Sequence, residues 1–213
     1  MSGKSNKYES RAYSFDIRAE NDEEKQRGVL RGTPIVYESK TDLGYFDEII
    51  ARGALDGAKL TDVRFLVNHD VSMIPLARSR NNNENSTLQL MPNKDGMDMR
   101  VTLDIENNND SRALYSAVER GDLSGMSFMF SIDDEEWSDL ESDHPTRTIK
   151  KIGEVLEISA VTFPAYEAAT ITARDYKAAL DNARAALDNA GKTPDGVNLE
   201  LEKVKIKTMM EVL

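Results

Sequence analysis

The chain has no cysteine among its 213 residues. That absence removes disulfides, thiolate metal sites and a thiol nucleophile together, and leaves serine, threonine or a carboxylate for covalent chemistry. It also fits a reducing compartment. No stretch approaches the roughly 18 consecutive apolar residues that a bilayer-crossing helix needs, and the first residues show no secretory pattern. A soluble, intracellular protein with no membrane contact is expected. Basic residues are outnumbered, with 27 Lys and Arg against 38 Asp and Glu and a net charge of −11. Such a field repels a phosphate backbone, so no direct nucleic-acid binding is expected. Histidine is scarce as well: there are two, His69 and His144. Any mechanism that needs an imidazole must choose between them.

What the chain does have is a serine inside an alternating run, GDLSGMSFMFSI, from Gly121 to Ile132. Strand side chains alternate between faces, so Met126, Phe128, Phe130 and Ile132 point to one side and Ser127, Met129 and Ser131 to the other. The aromatic side reads as core and the serine side as a polar site. The run before it, NDSRALYSAVERG, reads as a helix with Asn109 or Asp110 as N-cap, Leu114, Ala117 and Val118 at helical spacing, and Gly121 as its stop. Ser127 is a candidate nucleophile, but a serine becomes reactive only beside a base.

Residues 1–10 are polar and aperiodic and read as a flexible terminus. AYSFDIRAE and GVLRGTPIVYES alternate as strands, and Pro34 in the second marks an edge or a bulge. LTDVRFLVNHD carries Val63, Phe65 and Val67 on one face and ends at Asn68, His69 and Asp70. A strand on a rigid scaffold can aim His69, whereas His144 lies in the acidic, turn-rich DDEEWSDLESDHP before Pro145. His69 is therefore the candidate base, against the plainer reading that it satisfies backbone at a strand end. STLQLMPNKDGMDMRVTLDI reads as a hairpin turning at Asp95 and Gly96. In TRTIKKIGEVLEISAVTFPAY, Val155, Glu157, Ser159 and Val161 share a face. A carboxylate in an apolar strand needs a partner, and a salt bridge to a neighbouring strand is the plain alternative. Past Ala165 the pattern turns helical, and AALDNAR and AALDNAG put Leu180, Ala183, Leu187 and Ala190 at heptad spacing. The expected organisation is a domain over 11–174 and a helical tail over 175–213 for oligomerisation or docking.

With Gly32 to Tyr37, FDEIIARGAL, the Asn68–His69–Asp70 triplet, GDLSGMSFMF and LEISAVTFPAY in this order, the chain resembles the prohead serine proteases of tailed bacteriophages, whose fold is similar to herpesvirus assemblin. The resemblance spans about Gly28 to Arg174, with 58 residues from His69 to Ser127 and 30 from Ser127 to Glu157. There is no G-x-S-x-G elbow of the α/β-hydrolases. The resemblance implies an α+β, mainly β fold, an assemblin-like closed β-barrel of about seven strands surrounded by helices. It also implies a serine endopeptidase with Ser127 as nucleophile, His69 as general base and Glu157 as the third member, needing no cofactor. Glu154 is the fallback, but alternation puts it on the opposite face from Glu157. The turn from Ala165, with Ala165 and Tyr166 as candidates, is where oxyanion donors are expected. The implied substrates are scaffold, the chain itself and the capsid protein, inside an immature procapsid in the host cytoplasm, with the tail favouring a homo-oligomer. A catalytically silent scaffolding or capsid-binding module is the alternative. A metal centre at His69 and Asp70 lacks convergent ligand spacing, and no metal is expected.

Overall fold

Eleven strands and two helices make up the described residues (8–13, 17–22, 27–162 and 169–190) of the computed structural model. In chain order these are β1 (Tyr8–Tyr13), β2 (Arg18–Asp22), β3 (Arg27–Val36), β4 (Lys40–Asp42), β5 (Asp47–Ile50), β6 (Asp62–Val67), β7 (Ala77–Arg80), β8 (Leu88–Asn93), β9 (Gly96–Leu103), α1 (Asn109–Glu119), β10 (Gly125–Ser138), β11 (Thr146–Val161) and α2 (Ala169–Ala190). β1 begins at Tyr8, within the stretch read as a flexible terminus. Among the described residues no helix is long and apolar enough to cross a membrane.

The strands form two sheets around a main core, with a smaller buried cluster of Leu43, Phe46, Tyr176 and Leu180 beside it. The larger runs β1-β10-β11 antiparallel, and the far edge of β11 is used twice: its first residues pair in parallel with β5, and Glu157 to Ala160 pair in parallel with β6. Length explains this, because the 16 residues of β11 extend about 50 Å at about 3.3 Å per residue, enough for two short partners end to end. β4 adds to β5 and β7 to β6. The smaller sheet, β2-β3-β9-β8, is antiparallel throughout. Leu30, Ile35, Leu88, Met99 and Val101 of the smaller sheet share a buried cluster with Phe65, Phe128, Phe130, Ile149 and Ile158 of the larger.

The fold is mainly β, but the closed barrel expected from the resemblance is not what the pairings form. Among the described residues no ladder joins the two sheets. The long β10–β11 pair shifts register at several points between Met129 and Glu135, and such bulges bend and twist a ladder, so enclosure here comes from packing between sheets.

Local readings map closely. β3 shifts register between Gly32 and Ile35, the bulge that Pro34 announces. The β8–β9 hairpin closes at Asn93 and Gly96, where φ is +149° and a Cβ would stand 2.0 Å from the Ile35 carbonyl oxygen. α1 is capped by Asn108, one residue before the nearer of the two expected positions, Asn109 and Asp110: its Oδ1 accepts from the N–H groups of Asp110 (2.9 Å) and Ser111 (3.1 Å). In α2 the heptad leucines part company. Leu180 is buried with Tyr176 against Leu43 and Phe46, while Leu187 is exposed. Arg184 fastens the same helix to the carbonyls of Leu140 and Ser142. Part of the expected tail thus packs on the β domain, and residues 191–213 lie outside the described residues.

Candidate active site

β6 carries Val63 and Phe65 into the core and ends at Val67, which delivers Asn68 and His69 to the end of the sheet. Both adopt left-handed backbone, with φ of 51° and 58°. Asn tolerates that conformation and His does so less readily, and such strain persists only where surroundings enforce it. Here they do. The Asn68 N–H donates to the Ala160 carbonyl (2.9 Å), and its side chain brackets Thr162, accepting from the Thr162 N–H (2.9 Å) and donating to Thr162 Oγ1 (3.2 Å). The end of β6 is thereby tied to the end of β11.

His69 Nδ1 lies 2.6 Å from Glu157 Oε1. The glutamate is buried, and its other oxygen accepts from Ser159 Oγ at 2.5 Å. The same Oγ accepts the His69 backbone N–H at 3.1 Å. A carboxylate only accepts, so the neutral imidazole keeps its proton on Nδ1 and presents its Nε2 lone pair. The His69 side chain is 26 % exposed.

Ser127 on β10 stands directly across from Ser159 on β11. Directly opposed residues in an antiparallel pair project to the same face with Cβ atoms about 4.5–5.5 Å apart. The two strands therefore set Ser127, Ser159, Glu157 and, through β6, His69 on one face. Ser127 is fully buried, and its hydroxyl donates to the Arg11 carbonyl at 2.8 Å. Among the described residues no hydrogen bond joins it to His69.

The other expected residues fall as follows. Glu154 accepts from the Tyr8 hydroxyl (3.1 Å), so of the two glutamates Glu157 is the one bonded to His69. Asp70 is occupied by Ser72, whose N–H (2.9 Å) and hydroxyl (2.6 Å) it accepts. Ala165 and Tyr166 lie outside the described residues. His144 is exposed at the far end of β11, 3.2 Å from Asp47 Oδ1. His144, Asp42 and Asp47 have potential ligand atoms within 4.8 Å of one another, but Asp47 already holds the Lys40 ammonium at 2.6 Å.

Two features escaped the sequence reading. One is the role of Ser159, whose signal was present in its two-residue spacing from Glu157. The other is a buried ion cluster behind Ser127, which has no local signal. Arg11, whose carbonyl holds the serine, is 1 % exposed and places its guanidinium on Glu48 (Nη2 to Oε2, 2.7 Å) and Glu9 (2.5 Å). Arg147 reaches the same Glu9 oxygen at 2.9 Å and also bonds Glu135. The Arg11 guanidinium further stacks over Tyr176 of α2, 4.9 Å from the ring centre. Burial pushes the Glu9 carboxyl up, but the guanidiniums of Arg11 and Arg147 outweigh it and hold the group down to about 2.

Glu9 is thus depressed in the folded state relative to its ordinary 4.5, so its stabilisation is complete above that value and lost as pH falls through about 2. Urea unfolding between pH 5 and 2 should show a loss on the order of 3 kcal/mol that Glu9→Gln flattens. Identical acid dependence in the two proteins removes Glu9 from this role.

Residues 13–182 match the family model described as caudovirus prohead serine protease. No curated protein and no solved structure gives a significant match.

Proposed function

Because the chain belongs to the caudovirus prohead serine protease family, a family of phage head-maturation proteases, we propose that it is an endopeptidase in which Ser127 attacks a peptide carbonyl and His69 accepts its proton. The observation that carries this reading is the His69–Glu157 pair standing on the same sheet face as Ser127. In the proposed cycle the Ser127 hydroxyl turns from the Arg11 carbonyl toward His69 Nε2 and adds to the scissile carbonyl. Glu157 holds the Nδ1–H tautomer and stabilises the imidazolium. His69 then returns the proton to the leaving amine, and water repeats the sequence on the acyl-serine. Backbone N–H groups at Ala165 and Tyr166 are proposed for the oxyanion, where loss of one donor typically lowers the rate by about 100-fold or more. The assemblin-like arrangement belongs to the same proposal.

The proposed substrates are scaffold, the chain's own tail and the amino-terminal part of the capsid protein, cut inside the immature head. Hydrolysis makes assembly irreversible, because fragments leave the shell and the scaffold cannot reform. One observation favours a second reading, a silent scaffolding or capsid-binding module: the Ser127 hydroxyl rests on a backbone carbonyl, away from the base. Mass spectrometry of the wild type and Ser127→Ala, incubated alone and with scaffold and capsid protein, separates the two. Cleavage in the wild type alone supports the protease, and intact masses in every sample with assembled proheads present move the weight to the silent module.

Glu157→Gln tests the third member. The amide oxygen can still accept from Nδ1–H, but the charge that stabilises the imidazolium is gone. Turnover should fall by about 100- to 10,000-fold, less than on loss of the nucleophile. A wild-type rate excludes Glu157 from the reaction.

A further inference from the structure

We propose that Ser159 is a positioning residue that locks the His69–Glu157 pair, a role that rests on the protease reading above and extends it to a fourth side chain. Its hydroxyl is a single atom with two directed bonds: Oγ accepts the His69 backbone N–H at 3.1 Å and donates to Glu157 Oε2 at 2.5 Å. With the imidazole bond to Glu157 Oε1 at 2.6 Å, the contacts close a ring that grips His69 by its main chain and its side chain at once.

Each half of the ring answers a local need. β6 ends at Val67 and His69 is in left-handed conformation, so its N–H has left the ladder and requires another acceptor. Glu157 is 3 % exposed, and a buried carboxylate needs donors on both oxygens. Residues two apart on a strand share a face, so position 159 is where β11 can supply a hydroxyl to both groups.

The direction of these bonds also separates the two facing serines. The Ser159 proton is held by a charged carboxylate and one of its lone pairs by a backbone N–H, whereas the Ser127 proton rests on a neutral carbonyl, a weaker hold. Ser159 is therefore the holder and Ser127 the residue that exchanges that carbonyl for His69 Nε2.

The test compares Ser159→Ala and Ser159→Thr, each alone and in a Ser127→Ala background. In the active background Ser159→Ala should lower kcat by up to about 100-fold with KM nearly unchanged, the scale of effect seen when a reacting group is misplaced by about 1 Å. Threonine keeps the hydroxyl and should restore most of the rate. In the Ser127→Ala background, proton NMR reads the ring without turnover: the downfield His69 Nδ1–H resonance should be present with Ser159 or Thr and lost with Ala. With two histidines in the chain, His144→Gln completes the assignment. An unchanged kcat and resonance in Ser159→Ala overturns the proposal, as does an equal loss in Ala and Thr that follows melting temperature alone. If the alanine variant does not fold, Ser159→Cys, a weak donor of similar size, replaces it under the same criteria. The protease reading fails separately: a wild type that cuts nothing in assembled proheads refutes that reading, while a resonance still governed by residue 159 upholds the lock.

Discussion

Ser127→Ala should abolish proteolysis, with a fall on the order of a million-fold, the scale seen when a triad nucleophile is removed. It should do so in a protein that folds normally. The lost group is one buried hydroxyl bonded to the Arg11 carbonyl, and a single neutral hydrogen bond contributes about 1 kcal/mol. Alanine occupies the same strand position without a clash, so β10 keeps its register against β1 and β11. The competing nucleophile is the facing Ser159, and a serine-directed phosphonate separates the two: the adduct should map to the peptide containing Ser127 and vanish in Ser127→Ala. An adduct on Ser159 transfers the nucleophile to β11, and either that adduct or cleavage that survives in Ser127→Ala refutes Ser127 as the nucleophile.

What could be read from the sequence was whatever depends on neighbours along the chain. Alternation gave the core face of β10 but only part of β11, where the register shift beside Met129 places Val155 opposite Phe130 and in the core with Ile158 and Ala160 rather than with Glu157 and Ser159; Pro34 gave the bulge in β3, and Asp95–Gly96 gave the hairpin. That His69 follows a hydrophobic strand while His144 lies in an exposed acidic loop was legible from the residues around each. The pairing of His69 with Glu157 could be suspected but not shown, since 88 positions separate them. Whether the sheets close a barrel was hidden for the same reason: edge-to-edge pairing leaves no local pattern. So was the destiny of the heptads, where Leu180 finds Phe46 on its own domain and Leu187 faces solvent. Arg11 was the least legible residue. It directly follows the polar opening stretch, and its burial depends on Glu48, 37 positions away, and on Tyr176 of α2.

The second large effect is expected at Glu48, where Glu48→Ala should lower stability by about 3–5 kcal/mol, a large part of the roughly 5–15 kcal/mol that a domain holds. The reason is the charge it leaves behind. The guanidiniums of Arg11 and Arg147 are 1 % and 4 % exposed, and the Glu48 carboxylate beside them is fully buried. Parallel pairing of β5 with β11 sets Glu48 against Arg147, and the fold brings Arg11 of β1 onto the same carboxylate. Without Glu48, the anions left among the described residues are Glu9, shared by both cations, and Glu135, which meets Arg147 on the rim at 34 % exposure. Replacing the whole pair is a different experiment. Arg11→Met with Glu48→Leu removes charge and counter-charge together, and apolar replacement of a buried pair is often neutral or stabilising. Urea unfolding should therefore rank Glu48→Ala well below the double variant, with Glu48→Gln between them because it keeps the hydrogen bonds and loses the charge. The active site should register the same ranking, since Arg11 carries both the buried guanidinium and the carbonyl that receives the Ser127 hydroxyl. A Glu48→Ala protein as stable as the wild type means that water already solvates these guanidiniums, and the cluster then does not fix β1 against β10.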